Sequence, residues 1–431
     1  MNREILKLAI PNIISNISVP FLSTVDTALM GQLSSLHLGA VGIGSMIFNF
    51  LYWNFGFLRM GTTGITAQGF GANNEKQITN TLGRALLISI GLGIVLILIQ
   101  IPLIQAGVYL MNVDPSQQAL IETYFYIRIW AAPATMSLYA LSGWFFGMQN
   151  AKLPLIMTVA GNVLNIIMSY FFVIELEWEV AGVAWGTVIA QYLSFALGLL
   201  FTYLYYNDYL AKLRLKAIII WEELKAFLSI NADIFIRTFL LTLSFGFFYS
   251  QSSLNGATIL AVNTILMQFI SWMSYGIDGF AFATESLVGK YKGANDWKQV
   301  KNAIRYSFFW GMGFALLYSL IYWILGTSIL YLFTSESHLI EATTPFLIWM
   351  IIFPLAGTPC YIWDGIYIGL TASRAMKNMM ILSIIVFFIF YYGISINYGN
   401  HGLWLTMVIF MLVRGLFLHL WMFRKGLENV K

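Results

Sequence analysis

Five acids fall inside long apolar stretches of this chain: Asp26, Asp233, Asp278, Glu285 and Asp364. An ionised side chain deep in hydrocarbon costs about 2.5–3.5 kcal/mol on insertion scales. Groups kept at that cost face a bundle interior or a water-filled cavity, and they mark proton, ion or substrate pathways. Asp26 is the one charged residue of "VPFLSTVDTALMG" (19–31). Pro11 and Pro20 precede it, and each removes an intrahelical hydrogen bond and favours a kink. A titratable group on a bendable helix can couple protonation to shape. The competing reading is a carboxylate satisfied by nearby hydroxyls or amides.

Asp233 and Arg237 are four residues apart and share a helix face. Asp278 and Glu285, seven apart, share another. Counted from the helix ends, Asp233, Asp278 and Arg237 lie about 13, 16 and 20 Å deep. Those depths allow a buried network in which Arg237 pairs with Asp278, Asp233 or both, as a structural pair, a latch or a coupling site. Asp364 and Arg59 fall near helix ends and are expected to snorkel or pair at the interface. The dispersed His37, His338 and His401 do not form a metal site. "GFGAN" and "GKYKGAN" follow helices rather than strands, so no phosphate loop is expected. No cofactor is implied.

These residues sit in 431 positions, 59% hydrophobic and 10% charged, against about 25% charged in soluble domains. Apolar runs of about 20 residues recur throughout, each able to cross a core of roughly 30 Å. The expected fold is an all-α integral membrane protein. Its helices are placed at 8–33, 38–64, 80–111, 120–148, 153–175, 180–207, 224–254, 258–289, 300–333, 340–370, 374–396 and 401–425. No cleavable signal is expected, and the first helix is retained. Cys360 is the only cysteine, so no internal disulfide forms. The net charge of +4 reads as membrane topology, not nucleic-acid binding.

With both termini in the cytoplasm, the inside segments carry Lys76, Lys152, Lys212, Arg214, Lys290, Arg374 and Lys425, among others. The outside segments carry neither lysine nor arginine and hold acids such as Asp114, Glu177 and Glu336. That asymmetry is the one expected of twelve spans with both ends inside.

An internal repeat orders the helices. "YALSGWFFGMQNAK" (139–152) and "YIWDGIYIGLTASR" (361–374) match at Tyr139/Tyr361, Gly143/Gly365, Gly147/Gly369 and Lys152/Arg374, all 222 positions apart. "GAN" recurs at 71–73 and 293–295 with the same offset. The chain is therefore expected to form two pseudo-symmetric six-helix bundles, 1–207 and 226–431, joined by a cytoplasmic linker at 208–225. Parallel repeats of this kind suit a transporter that rocks one bundle against the other. The counterparts of Asp26 are Phe247 and Phe248, so the repeat itself does not demand an acid there.

"IPNIISNISVPFLSTVDTALMG", "FLRMGTTGITAQGFGA", "INADIFIRTFLLTLSFG" and "LAVNTILMQFISWMSYGIDGFAFATESLVGKYKGA" resemble the DinF branch of the multidrug and toxic compound extrusion (MATE) transporters. The resemblance implies a V-shaped pair of bundles in the inner membrane. It also implies antiport of cationic or amphipathic compounds against protons or sodium ions. It makes Asp26 the cation-coupling residue of the family's "VDTA" motif and Pro11 the bending proline. One departure stands out: many members carry a second acid in helix five, where this chain has Ser169. Asn162 and Asn165 remain as polar helpers. Asp233 and Asp364 do not align with the acids of the sodium-binding NorM branch, which favours protons. A monomer in membrane lipid is expected.

Two rivals are weaker. A lipid-linked precursor flippase of the same superfamily often has extra helices or a strongly basic cavity, and neither is present. An integral membrane acyl- or prenyl-transferase would need clustered histidines and acids, or paired aspartates, near one membrane face.

Overall fold

The computed structural model describes residues 1–429, and the side chains of residues 19–28 and 32 lie outside that description. The chain is helical throughout. The helices of its first half are α1 (Asn2–Leu33), α2 (Ser35–Trp53), α3 (Phe57–Gly71), α4 (Glu75–Leu98), α5 (Gln100–Leu110), α6 (Pro115–Arg128), α7 (Ala132–Gly147), α8 (Lys152–Tyr170) and α9 (Glu179–Leu210). There follow α10 (Leu215–Ile218), α11 (Trp221–Leu254), α12 (Ala257–Gly293), α13 (Trp297–Phe333), α14 (Ser337–Thr343), α15 (Leu347–Gly369), α16 (Ser373–Gly393) and α17 (Gly399–Lys425). Ten helical runs among the described residues are long and apolar enough to cross a bilayer, from Ser35–Gly71 to Ser395–Lys425. The protein is thus a multi-pass membrane protein.

Several expected helices are broken where the chain chemistry asks for it. The run expected at 120–148 is α6 and α7 with a short 3-10 turn, Ile129–Ala131, between them, and Pro133 stands in the first turn of α7. Pro345 occupies the corresponding turn between α14 and α15. Proline is tolerated there because the first N–H groups of a helix have no intrahelical acceptor.

The chain divides into two compact units, 14–228 and 229–431 joined by 1–13. The first thirteen residues, expected with the first half, therefore cluster with the second. There α1 packs on α12: a Cβ on Gly279 would come within 2.4 Å of Ile13 and 3.0 Å of the Ala9 carbonyl. Glu4 accepts from Tyr291 Oη at 2.8 Å and from Lys290 Nζ at 3.1 Å. The boundary between the units falls inside α1, just after Pro11.

The stretch expected as a linker, 208–225, is mostly helical and packed onto the first unit. α9 runs on to Leu210, and α10 lies against α4. Arg84 of α4 is buried there and donates to the carbonyls of Ala217 (2.8 Å) and Ile218 (3.1 Å) and to Glu223. The exposed Lys212 is held by Glu75, which raises its pKa above the ordinary lysine value.

The repeat is visible in the backbone of each unit. Asn73 and Asn295 both take positive φ, 52° and 57°, at the turn after "GAN". Asn74 and Asp296 then cap α4 and α13 by accepting from the N–H of Gln77 and Gln299. Gln149 and Thr371 also take positive φ, 61° and 52°. Glycine seams repeat too. A Cβ on Gly143 would stand 2.4 Å from the Arg59 carbonyl, and one on Gly365 would stand 2.4 Å from the Ala281 carbonyl. Gly147 and Gly369 meet the backbone N of Ala67 and Gly289, each at 3.0 Å. Between helices in lipid, small residues of this kind let backbones approach closely.

Phe248, one counterpart of Asp26, is fully buried against the Trp404 ring, 4.8 Å between centroids. The position that holds an acid in the first half is thus core in the second.

Gly143→Ala and Gly365→Ala should each destabilise the protein by about 1–3 kcal/mol, because backbone rather than a flexible side chain must move. Gly313→Ala, with nothing within 4 Å, should be neutral or mildly stabilising. Thermal midpoints of the purified proteins in detergent check this, and equal midpoints for all three would contradict the seam.

Candidate functional site

In the first unit a line of neutral polar groups joins α1, α8 and α9. Asn162 on α8 donates to the carbonyl (3.2 Å) and the hydroxyl (3.1 Å) of Ser18 on α1. Asn165, one turn on, donates to Thr187 Oγ1 on α9 at 2.9 Å. The hydroxyl of Ser169 donates to Asn165 Oδ1 at 3.4 Å, and Thr187 donates onward to the Val183 carbonyl at 3.0 Å. Asn165 and Ser169 are buried. The structure therefore brings the three expected helpers into one i, i+3, i+7 stripe of α8. It also gives a physical reason for a serine at 169. A Cβ on Gly186 would stand 2.7 Å from Ser169 Oγ and 2.8 Å from its backbone N, so α8 and α9 touch there. A larger acid would crowd that contact.

Asp26 lies on α1 eight residues beyond Ser18, about 12 Å along the axis. The side chains of Asp26 and Pro20, both central to the sequence reading, lie outside the described residues. Pro11 lies in the half-buried part of α1 that belongs to the second unit.

The second unit carries a cluster of buried charges. Arg237 on α11 donates to Asp364 Oδ2 on α15. Arg414 on α17 reaches the same oxygen at 2.9 Å. Arg414 also donates to Met411 Sδ at 3.2 Å and stands 5.4 Å from the Phe410 ring centroid. Both arginines and Asp364 are buried. Asp233, one turn before Arg237, faces another neighbour: Lys377 Nζ at 2.5 Å and Ser373 Oγ at 3.1 Å, both on α16.

These pairings bear on two expectations. Asp233 and Arg237 share a helix, and the structure bonds Arg237 to Asp364 on α15 and Asp233 to Lys377 and Ser373 on α16. Of the two arrangements expected for Asp364, snorkelling or pairing, the structure shows pairing: it sits between two guanidinium groups. Arg59, for which the same two were expected, is buried, with its guanidinium 5.9 Å from the Phe146 ring centroid. Asp278 is half-buried and Glu285 fully buried, both on α12. The sequence reading missed Arg414 and Lys377 as partners. The signal was available for Arg414: an arginine in the middle of the apolar run 401–425 demands a carboxylate on a neighbouring helix. No group of three or more candidate metal ligands occurs among the described residues.

The MatE family model matches this chain over residues 11–171 and again over 234–398, the two halves of the repeat. The chain belongs to the MatE family. DNA damage-inducible protein F of Escherichia coli (strain K12) is 36% identical over 96% of this chain and 90% of its own length. The probable multidrug resistance protein NorM of Thermotoga maritima is 24% identical over 79% of this chain and 74% of its own. Among solved structures, a multidrug resistance MATE transporter in an outward-facing conformation superposes with a TM-score of 0.90. It is 20% identical, and the match covers 100% of this chain and 97% of that one. The last comparison establishes the fold. The DinF-like resemblance read from "VDTA" and "YGIDGFAFATE" is borne out, and this MatE protein is a member of a family of multidrug and toxin extrusion transporters.

Asp364→Asn should destabilise this MatE protein by about 3–5 kcal/mol, since it leaves two buried guanidinium groups without their shared charge. Asp233→Asn, whose lysine is partly exposed, should cost about 1.5–3 kcal/mol. Unfolding midpoints in detergent rank the two, and a smaller loss for Asp364→Asn would contradict the assignment.

Proposed function

We propose that the protein is a secondary active antiporter that exports cationic or amphipathic compounds in exchange for protons, with Asp26 as the coupling group. The observation that carries this reading is chemical. Asp26 is the acid at membrane depth in the first half, and its helix is joined to α8 by neutral groups, Asn162 donating to Ser18. A buried, partly hydrated carboxylate has differential affinity for a proton and for a cationic substrate, and such a difference is what biases two conformations. Ionised, Asp26 favours a hydrated cavity with room for a cation. Protonated, it releases the cation and α1 bends near Pro11 or Pro20.

The same reading takes α1 and the broken run Pro115–Gly147 as spans beside the ten above. That makes twelve spans in two six-helix bundles. The distribution of lysine and arginine supports cytoplasmic termini and an inner-membrane location. The names carried by the relatives support multidrug substrates. The second-half charges Asp233, Arg237, Asp278 and Glu285 are assigned to holding that bundle together, and the cycle is assigned to Asp26. The protein works as a monomer in lipid and needs no cofactor.

Asp26→Asn mimics the protonated form. It should insert at wild-type levels and lose export by about tenfold or more, the scale of a removed coupling free energy. Asp26→Glu should retain part of the activity. Accumulation of a fluorescent cation in cells with matched expression measures this. Wild-type export by Asp26→Asn would move the coupling site to the second-half cluster.

A further inference from the structure

The second unit contains a cavity of about 820 Å3 that the transport reading does not use. It lies where α16 begins, α17 ends and α11 passes, the end of the unit where positive charge collects. Among its lining residues are Asp233, Arg374, Asn378, Trp421, Lys425 and Glu428. Its two carboxylates are already engaged: Asp233 by Lys377 and Ser373, Glu428 by Lys301 at 3.0 Å. Its two exposed cations are not. Arg374 and Lys425 make no ion pair among the described residues. The cavity therefore presents uncompensated positive charge, including a guanidinium whose fork matches the oxygens of a phosphate.

The surface leading away from the cavity is apolar. Arg374 and Asn378 begin a stripe on α16 that continues through Leu382, Ile385 and Ile389, all exposed, at spacings of three and four residues. From Asn378 to Ile389 is about 16 Å along the helix, close to one leaflet of a core of roughly 30 Å. A polar, cationic recess thus stands at the head of an apolar track one acyl chain long.

We infer that this cavity binds an anionic phospholipid, with the phosphate at Arg374 and Lys425 and an acyl chain along the Leu382–Ile385–Ile389 stripe. Basic pockets between membrane helices on the cytoplasmic side recognise acidic head groups in this way. The inference is independent of Asp26 and of the transported compound.

The test uses the full-length protein in detergent, with lipid binding followed by native mass spectrometry. Dioleoylphosphatidylglycerol should bind more tightly than dioleoylphosphatidylcholine. The double variant Arg374→Gln/Lys425→Gln should lose roughly 30-fold in affinity for the anionic lipid, the loss expected from two removed charges. Its affinity for phosphatidylcholine and its elution in size-exclusion chromatography should stay unchanged. Lys76→Gln/Lys298→Gln, which removes two basic residues that do not line the cavity, should behave as wild type. Equal wild-type affinity for the two lipids, or an unchanged preference in the double variant, would overturn the proposal. So would displacement of phosphatidylglycerol by an equal concentration of glycerol 1-phosphate, which would make this a site for soluble phosphates.

Discussion

Helices in hydrocarbon have no water to which a buried charge or amide can turn, so each polar group must find a partner within the protein. In the second unit the buried Asn263 meets it by donating to Ser252 and Asn400 and accepting from Trp404, and one carboxylate meets it for the charges. Asp364 of α15 receives Arg237 from α11 and Arg414 from α17, and so ties three helices at one oxygen. One turn earlier on α11, Asp233 ties the same helix to α16 through Lys377 and Ser373. Removing Asp364 leaves two buried guanidinium groups without their shared carboxylate, which makes it a poor candidate for a group that must gain and lose a partner in every cycle. The first unit meets the same constraint differently. Its α8 is joined to α1 and α9 by amides and hydroxyls, whose bonds carry no net charge and are cheaper to exchange. Asp26 lies on the helix that these exchangeable bonds hold, which is why the coupling role is proposed for the first half.

Much of this was legible in the sequence, and for identifiable reasons. The duplication could be read from Gly143/Gly365 and Gly147/Gly369, where a side chain would violate a close helix approach, and from the two "GAN" turns, whose asparagines take positive φ. The structure returns the same residues as close helix approaches and positive-φ turns. The stripe of Asn162, Asn165 and Ser169 was likewise implicit in helical spacing. The partners of the charges were harder. Spacing along α11 shows that Asp233 and Arg237 share a face, but the rotation of that face toward α15 and α16 depends on packing across the whole unit. Depth counted from helix ends left snorkelling and pairing both open for Asp364 and Arg59, because a residue two turns from the interface can still be enclosed by neighbouring helices. The packed course of 208–225 was missed because its polar composition read as a linker, while Arg84, which holds it, read as one more inside cation.

The shared helix α1 connects fold to function. Its first turns are fixed to α12 and to Lys290 and Tyr291, whereas the rest of it belongs with the first unit. Pro11, just before that division, lacks the N–H that would complete the helical ladder. In the proposed cycle, a change in the protonation of Asp26 would act on a helix with one end anchored and a weak point near the anchor. The glycine seams and the Asp364 junction supply rigid bodies against which such a bend has an effect.

The central claim is that a proton and a cationic substrate compete for Asp26. Isothermal titration of the purified protein with tetraphenylphosphonium, in two buffers of different ionisation enthalpy, counts the protons released on binding. Linkage predicts release of up to about one proton per cation bound by the wild-type protein, none by Asp26→Asn, and no change when choline replaces sodium. Equal proton release by Asp26→Asn, or binding that depends on sodium rather than pH, would contradict the account.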